Sequence, residues 1–544
     1  MDYNNTNIVA YHYGHDSNVA WKDGDTYKVV QIEKLRRKRY SSLYQNHTSK
    51  FNGKTMYTLD AIDLMISNRD KIDFTIHPAN TWWDWHTTPD GVKQIVNIFK
   101  SRYSQNNIRG CSHHEAHAYL GFVTSPFDKA LVITCDGGGD GEFFTVSLAD
   151  RDGIKQLDTI QYNMGGLYTS GCSFCEEVDG GTLSWSGKGM GLVARGKNIL
   201  PHYQDVMKLM YQKSIYVRFK QGHAHGPDRG PHSFFRLAQN SLGKNKIDKV
   251  KEELGLQDGA TTVKGQMSYD VMYNTQIVFE KLFDMFTEKY INKYDLPIVL
   301  TGGCALNVLN NERIKVKYGR EVFVPSAPDD TGLGLGYIFE KTRPKKQVRT
   351  HDIGPELYDK RELEGRKTIT NEEIVKLLQD GKIIGYAQGP SELGPRALGF
   401  RSILCDPSYP GMKDKINKIK RRQWWRPFAP ACRKEDAHLY FDSPSFEHME
   451  FMSFAVKVKE EAKQKIPAVV HVDGTARLQT VTSDSNEKFY DLLCDWNRIT
   501  GKHVLLNTSL NSWGEPIANT IEQCYKILQG TELDCLVIEN RLFR

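Results

Sequence analysis

The 544-residue sequence contains no apolar run approaching the length of a membrane span. Its opening stretch, MDYNNTNIVAYHYG, lacks the charged-then-apolar pattern of a secretory signal. A cytoplasmic location follows as the expectation (the host cytoplasm for a phage-encoded chain), with no membrane partner. Cysteine is sparse: ten residues are scattered through the chain, several inside apolar strand-like runs (Cys135, Cys304, Cys405), as reduced thiols packing as small hydrophobes would be. The one CxxC, Cys172 to Cys175, has no second pair to complete a zinc tetrahedron. An excess of one charge sign is also missing. With 72 basic and 66 acidic residues, a formal +6, the chain permits a polyanionic partner without demanding one.

What is present centres on residues 111–140, CSHHEAHAYLGF followed by KALVITCDGGGDGEFF. His113 and His117 are four apart, so on a helix their rings leave one face and can share one ion. Asp136 ends an apolar run that reads as a buried strand, and Gly137 and Gly138 follow it. A strand stopping in Asp-Gly-Gly sets a carboxylate beside free backbone N–H groups, which suits a metal together with nucleotide phosphates. Glu115 lies two places after His113, not next to it, which argues against a zinc protease. A second acidic-glycine turn, Asp329-Asp330-Thr331-Gly332, can bring another carboxylate to the same ion. Two histidines and two aspartates without thiolate suit Fe, Mn or Mg rather than structural zinc.

At this length two or more domains are expected. Residues 7–33 read as consecutive hairpin strands with a turn at Lys22-Asp23-Gly24, and a second such strand pair follows about a hundred residues on. That repetition suggests a duplicated, actin-like α/β domain clamping phosphate between its halves. His15-Asp16-Ser17 lies in the first turn, where it can reach the cleft or simply cap it. The basic run Lys34–Arg39 reads as a solvated face or as a loop beside phosphate. Lys188, in Gly-Lys-Gly-Met-Gly, is a candidate phosphate cation outside the Walker pattern. Residues 200–265 read as an insertion, with the surface loop QGHAHGPDRGPH positioned to touch an acceptor. Gly302, Gly303 and Asn307 form a strand–turn–helix joint suited to ribose or phosphate.

The charged, proline-broken stretch 346–368 reads as a linker between a first domain (1–345) and a second (369–544). The second domain sets Arg396, Arg401, Lys420, Arg422, Arg426 and Arg477 among apolar strands, with no acidic run of matching density. Buried cations need anions, and a ligand phosphate is the economical partner. Nucleic acid is the rival, since basic and aromatic interleaving also fits single strands.

The motifs GPRALGFRS, WWRPFAPA, ARLQTVT and LNTSLNSWGEPI, in one order and after the HDS turn, resemble the O-carbamoyltransferases of nodulation factors, cephalosporins, novobiocin-type antibiotics and aminoglycosides. The resemblance covers nearly the whole chain. It implies an actin-like (ASKHA) N-terminal domain like that of tRNA threonylcarbamoyl transferases, followed by a YrdC-like α/β domain. It further implies that the latter makes carbamoyladenylate from carbamoyl phosphate and ATP, and the former transfers the carbamoyl group to an acceptor hydroxyl. Matched residue by residue, the family's metal ligands fall on His113, His117, Asp136 and Asp330, its catalytic histidine on His15, and its basic-loop lysine on Arg39, beside Lys38. Its carbamoyl phosphate and nucleotide residues fall on Lys420, Arg422, Arg426, Arg477 and Asn507. Two departures stand out: IEKLRRKR replaces the family's acidic run, and LNTSLN replaces LNTSFN. The acceptor is expected to be a small hydroxylated metabolite or a hydroxymethylated base in DNA, and a homodimer is compatible. The rival readings are an actin-like ATPase with a nucleic-acid-binding module, separable by carbamoyl-phosphate-dependent pyrophosphate release, and tRNA threonylcarbamoylation.

Overall fold

Strand alternation and glycine turns build the first sheet as expected. β1 (Ile8–His12), β2 (Asn18–Asp23) and β3 (Thr26–Gln31) form antiparallel hairpins, and β4 (Phe74–His77) and β5 (Asn107–Arg109) join in parallel. The computed structural model describes residues 3–544 apart from 44–47, 52–53, 67, 80–88, 212–230, 258 and 359. A second sheet repeats the first: β6 (Lys129–Gly139), β7 (Glu142–Asp150) and β8 (Gly153–Ile160) are antiparallel, and β9 (Ile298–Thr301) and β10 (Val322–Phe323) are parallel to β6. The spatial orders, β3-β2-β1-β4-β5 and β8-β7-β6-β9-β10, are one topology used twice. This is the duplicated actin-like fold. It places the carboxyl ends of β1, β6 and β9 at one cleft, where such sheets bind ligands.

Helices cover both sheets. α1 (Ile32–Arg36) follows β3, and α2 (His113–Thr124) packs between the sheets against α7 (Leu333–Thr342). Ser112 caps α2 by accepting the Glu115 N–H at 3.3 Å. The insertion is largely helical among the described residues, and the loop expected at QGHAHGPDRGPH lies outside them up to residue 230. It holds α3 (Pro201–Met210), α4 (Pro231–Leu242) and α5 (Lys244–Glu253), packed on the long α6 (Gln266–Lys293). Their apolar faces bury Tyr203, Met207, Phe234, Phe235, Ile247 and Val250, a periodicity that the Gly- and His-rich stretch between them obscured. His223 and His225 of that stretch lie outside the described residues.

The second domain is α/β around a mixed seven-stranded sheet. Its order is Gln479–Val481, Ala429–Arg433, Val504–Ser509, Arg401–Cys405, Ile384–Ala387, Cys535–Ile538 and Arg541–Phe543. Residues 346–368 carry one 3-10 turn, Lys360–Leu363, and otherwise neither helix nor strand among the described residues. They are a packed strap rather than a solvated tether: Ile353 and Leu357 are buried, and the Ile353 carbonyl accepts from Val29 N–H at 2.9 Å.

Candidate metal centre and anion pocket

The helical spacing of four brings the Nε2 atoms of His113 and His117 to 3.2 Å from one another. Asp136 Oδ2 lies 3.2 Å from His113 Nε2, and Asp330 Oδ1 lies 3.4 and 3.2 Å from His113 and His117. One ligand atom from each of these four residues falls within 4.8 Å of the others. Two imidazole nitrogens and two carboxylate oxygens aimed at one point leave too few protons for hydrogen bonding alone to satisfy them, and the mixed N/O set suits a divalent transition metal. Burial opposes charge on His113, but Asp330 and Asp136 outweigh it and hold its pKa well above the ordinary value. Burial likewise opposes charge on Asp330, yet the facing histidines hold its carboxyl well below the usual range.

Supporting contacts fix these ligands. Asp136 Oδ1 accepts from Gly303 N–H at 2.8 Å, and Oδ2 from Gly138 N–H at 3.4 Å. A side chain at Gly139 would run into the His113 ring. Gly137 faces open space, and its carbonyl accepts from Asn163. Gly302 (φ +85°) lies against the Cys135 backbone, which admits no Cβ. Asn307, assigned to nucleotide from sequence, caps the helix Val308–Tyr318 by accepting from Asn310 N–H at 3.1 Å. Lys188 is held by Asp179 at 2.7 Å.

His15 reaches the centre from the other side. Its Nε2 is 3.8 Å from Asp330 Oδ2, its Nδ1 is 3.0 Å from Asp16, and 38% of its side chain is exposed. Burial lowers its pKa, but the Asp16 hydrogen bond and the Asp330 charge outweigh this and push it up to about 10. Two neighbours escaped sequence reasoning. Buried His12 places Nε2 3.7 Å from Asp330 Oδ2, and burial pushes its pKa down to about 3. Buried Asn18 donates to the Asp330 carbonyl at 2.8 Å. The signal for His12 was its place at the carboxyl end of β1; Asn18 had none.

The second domain gathers Arg396, Lys420, Arg422, Arg426 and Arg477, and Arg39 joins them from the first. Burial first, then mutual repulsion, lowers the pKa of Lys420, Arg422 and Arg477, and pushes Arg426 down to about 10. Arg396 is also pushed down to about 10, by burial first and with Arg39 adding to it. Two of the group have structural tasks. Lys420 Nζ donates to Asn511 Oδ1 at 2.6 Å, and Arg422 donates to Asn417 at 2.7 Å and lies 4.1 Å over Phe428. Arg396, Arg426 and Arg477 have no ion pair among the described residues, and Arg477 Nε is buried without a partner. Asn507 donates to Ala397 and Gln479 while its Oδ1 is also left over. Arg39 donates to the Glu515 carbonyl at 3.1 Å, so it faces the second domain, and Lys38 is exposed.

The two sites adjoin. Asp329, next to the candidate metal ligand Asp330, raises the pKa of Arg396 against the effect of burial. Gly394 (φ +98°) packs on the Ser326 carbonyl so closely that no side chain fits.

Two family profiles match the chain: "Carbamoyltransferase N-terminus" over residues 91–338 and "Carbamoyltransferase C-terminus" over residues 375–544. Nodulation protein NolNO of Sinorhizobium fredii is 30% identical over 483 residues, covering 83% of this chain and 66% of that protein, so the chain spans just under two thirds of its length. Nodulation protein NolO of Bradyrhizobium diazoefficiens is 31% identical over 467 residues, with 80% and 78% covered. Among solved structures, full-length HypF in the phosphate- and nucleotide-bound form aligns with a TM-score of 0.34 at 12% identity, covering 62% of this chain and 46% of that one.

Proposed function

The chain belongs to the carbamoyltransferase family, and from that premise we propose that it is an ATP-dependent O-carbamoyltransferase acting through carbamoyladenylate. The observation that carries this is the set of guanidiniums at Arg396, Arg426 and Arg477, which form no ion pair among the described residues and adjoin the His113–His117–Asp136–Asp330 quartet through Asp329. In a site already crowded with cations, carbamoyl phosphate and the ATP phosphates supply the missing negative charge, and the cations stabilise the pentacoordinate phosphorus of adenylation. Water would cleave carbamoyl phosphate to carbamate and phosphate, and a carbamate oxygen would bond to the α-phosphorus of ATP as the bond to pyrophosphate breaks, giving carbamoyladenylate. The acceptor oxygen would then bond to the carbamoyl carbon as the bond to AMP breaks.

A divalent ion on the quartet would draw charge from the departing AMP phosphate. The chain's own residues do the rest. His15 is more exposed than His12, the other imidazole facing Asp330 Oδ2, so an acceptor hydroxyl meets it first. His15 holds a proton at neutral pH while Asp16 and Asp330 act on it unopposed; it takes the acceptor's proton once their field is neutralised. The acceptor is a small hydroxylated metabolite or a hydroxymethylated base in DNA.

Pyrophosphate release measured with ATP, with and without carbamoyl phosphate, tests the reading. Release that depends on carbamoyl phosphate is expected, and release indifferent to it returns the chain to the simple ATPase class.

A further inference from the structure

Formal charge is distributed unevenly along this chain. Residues 195–251 hold twelve lysines and arginines and three carboxylates, a net +9 (twelve less three), whereas the whole chain is +6. Everything outside that segment is therefore net acidic. Eight of the twelve cations lie among the described residues, and hydrogen bonds tie down the start of the helical segment that carries them. Asp270 accepts the Lys197 and Asn198 N–H groups at 2.8 and 3.2 Å, and Glu253 accepts those of His202 and Tyr203 at 3.1 and 2.7 Å. Lys197, Lys244, Lys246 and Lys249 are exposed. None of those four lysines forms an ion pair among the described residues, whereas Lys208 pairs with Asp205 at 3.4 Å.

The root of this surface lies at the anion pocket. The Arg195 guanidinium sits 4.7 Å over the Trp424 ring, and Trp424 stands in the chain between Arg422 and Arg426. That indole is 58% exposed, and Trp513 is 63% exposed in the loop whose Asn511 and Glu515 hold Lys420 and Arg39. Exposed aromatic faces at a cationic pocket, with Arg195 joining them to the helical segment that carries the unpaired lysines, match a flexible polyanion with stacking rings. A small metabolite needs no such extent of surface.

We propose that α3, α4 and α5 with Trp424 form a binding surface for single-stranded nucleic acid, and that the acceptor hydroxyl is carried on an unpaired base of that strand. The second half of the statement rests on the carbamoyl-transfer reading; the first does not.

Fluorescence anisotropy with a labelled oligodeoxynucleotide of about 20 nucleotides, longer than a typical single-strand site, tests the surface with no ATP or carbamoyl phosphate present. The full-length protein is expected to bind it with an affinity that falls as salt rises. The triple variant K244E/K246E/K249E should bind at least about tenfold more weakly and with a log–log salt slope shallower by about 2, since each lost phosphate contact contributes about 0.7. The triple Lys→Arg variant should keep both, and thermal unfolding shows that each variant is folded. Equal binding by the wild type and the Lys→Glu variant, salt-independent binding, or tighter binding to vesicles of phosphatidylcholine with phosphatidylserine overturns the surface. Incubation with ATP, carbamoyl phosphate and single-stranded DNA containing hydroxymethylcytosine, then nucleoside mass spectrometry, tests the acceptor. A gain of one carbamoyl group is expected. Unchanged nucleosides while pyrophosphate is released overturn the acceptor half alone. No carbamoyl-phosphate-dependent pyrophosphate release at all removes the transfer reading and the acceptor half, and leaves the binding surface standing.

Discussion

Asn18 lies 312 residues from Asp330 in sequence, yet its amide clamps the turn that carries this ligand. Nδ2 donates to the Asp330 carbonyl at 2.8 Å, and Oδ1 accepts from Gly334 N–H at 2.9 Å. Asn18→Asp replaces the donor with an oxygen facing a carbonyl oxygen, at about 1–3 kcal/mol for an unsatisfied buried group. Metal affinity should fall about 10- to 100-fold, as for lost supporting contacts at other metal sites. Metal content per folded protein after dialysis measures this, and a purely structural role would lower the unfolding temperature with that content unchanged. The arginines respond in the opposite sense. Arg426 is held down to about 10, below the ordinary guanidinium range, first by burial and then by Arg39 and Arg396. Its charge therefore destabilises the fold below pH 10, and the cost fades as pH rises towards the unfolded value. Arg426→Met should raise the unfolding temperature of the ligand-free protein at pH 7, by about 1 kcal/mol of stability, while abolishing carbamoyl-phosphate-dependent pyrophosphate release. The gain should shrink above pH 10. Lower stability at neutral pH would show that the pocket is not electrostatically frustrated. The convergence of His113, His117, Asp136 and Asp330 was legible because spacing along one helix and two Asp-Gly turns are local features. His12 and Asn18 were not, because their partners arrive from the far end of the domain.

At the level of elements, α1 ties the two domains together. Lys34, read from sequence as part of a charged run, is buried and donates to the Glu392 carbonyl at 2.7 Å. Arg37, in the left-handed region at φ +57°, turns its guanidinium onto Glu515 at 2.7 Å and the Pro516 carbonyl at 2.6 Å. A run of cations has the same appearance in sequence whether it meets water or a second domain, so this role was invisible until the GEPI loop was in place opposite it. The duplicated sheets, by contrast, were legible from hairpin alternation, and the insertion helices were not, because glycine and histidine dominate the residues between them. Arg37→Glu and Glu515→Arg should each reduce carbamoyl transferred per pyrophosphate released, because on the proposed function activation stays in one domain while delivery crosses between two. The double swap should recover part of the loss, with a coupling energy of about 1 kcal/mol for a pair this exposed. Additive losses in the double variant would mean the two side chains act separately.

For the molecule as a whole, the joints are too numerous for the domains to behave as beads on a string. Besides α1, Gly394 sits on Ser326, Asn311 donates to the Ser453 carbonyl at 2.9 Å, and Lys315 reaches the Ser445 carbonyl and the Phe454 ring. The metal quartet lies in one domain and most of the cation pocket in the other, yet Asp329 and Arg396 feel one another. Ligands of either site should therefore stabilise a shared cooperative unit. A ligand at 100 times its Kd contributes about 2.7 kcal/mol to whatever unfolds with its site. In calorimetry, pyrophosphate, which fills only the cation pocket, and a divalent metal, which fills only the quartet, should each raise the same transition, and chelator should lower it. Added salt should weaken the pyrophosphate shift more than the metal shift, because the pocket acts through charge and the quartet through coordination. Two transitions, each answering to one ligand alone, would mean that the interdomain contacts are too weak to couple activation to transfer, and that carbamoyladenylate would have to cross between independently moving domains.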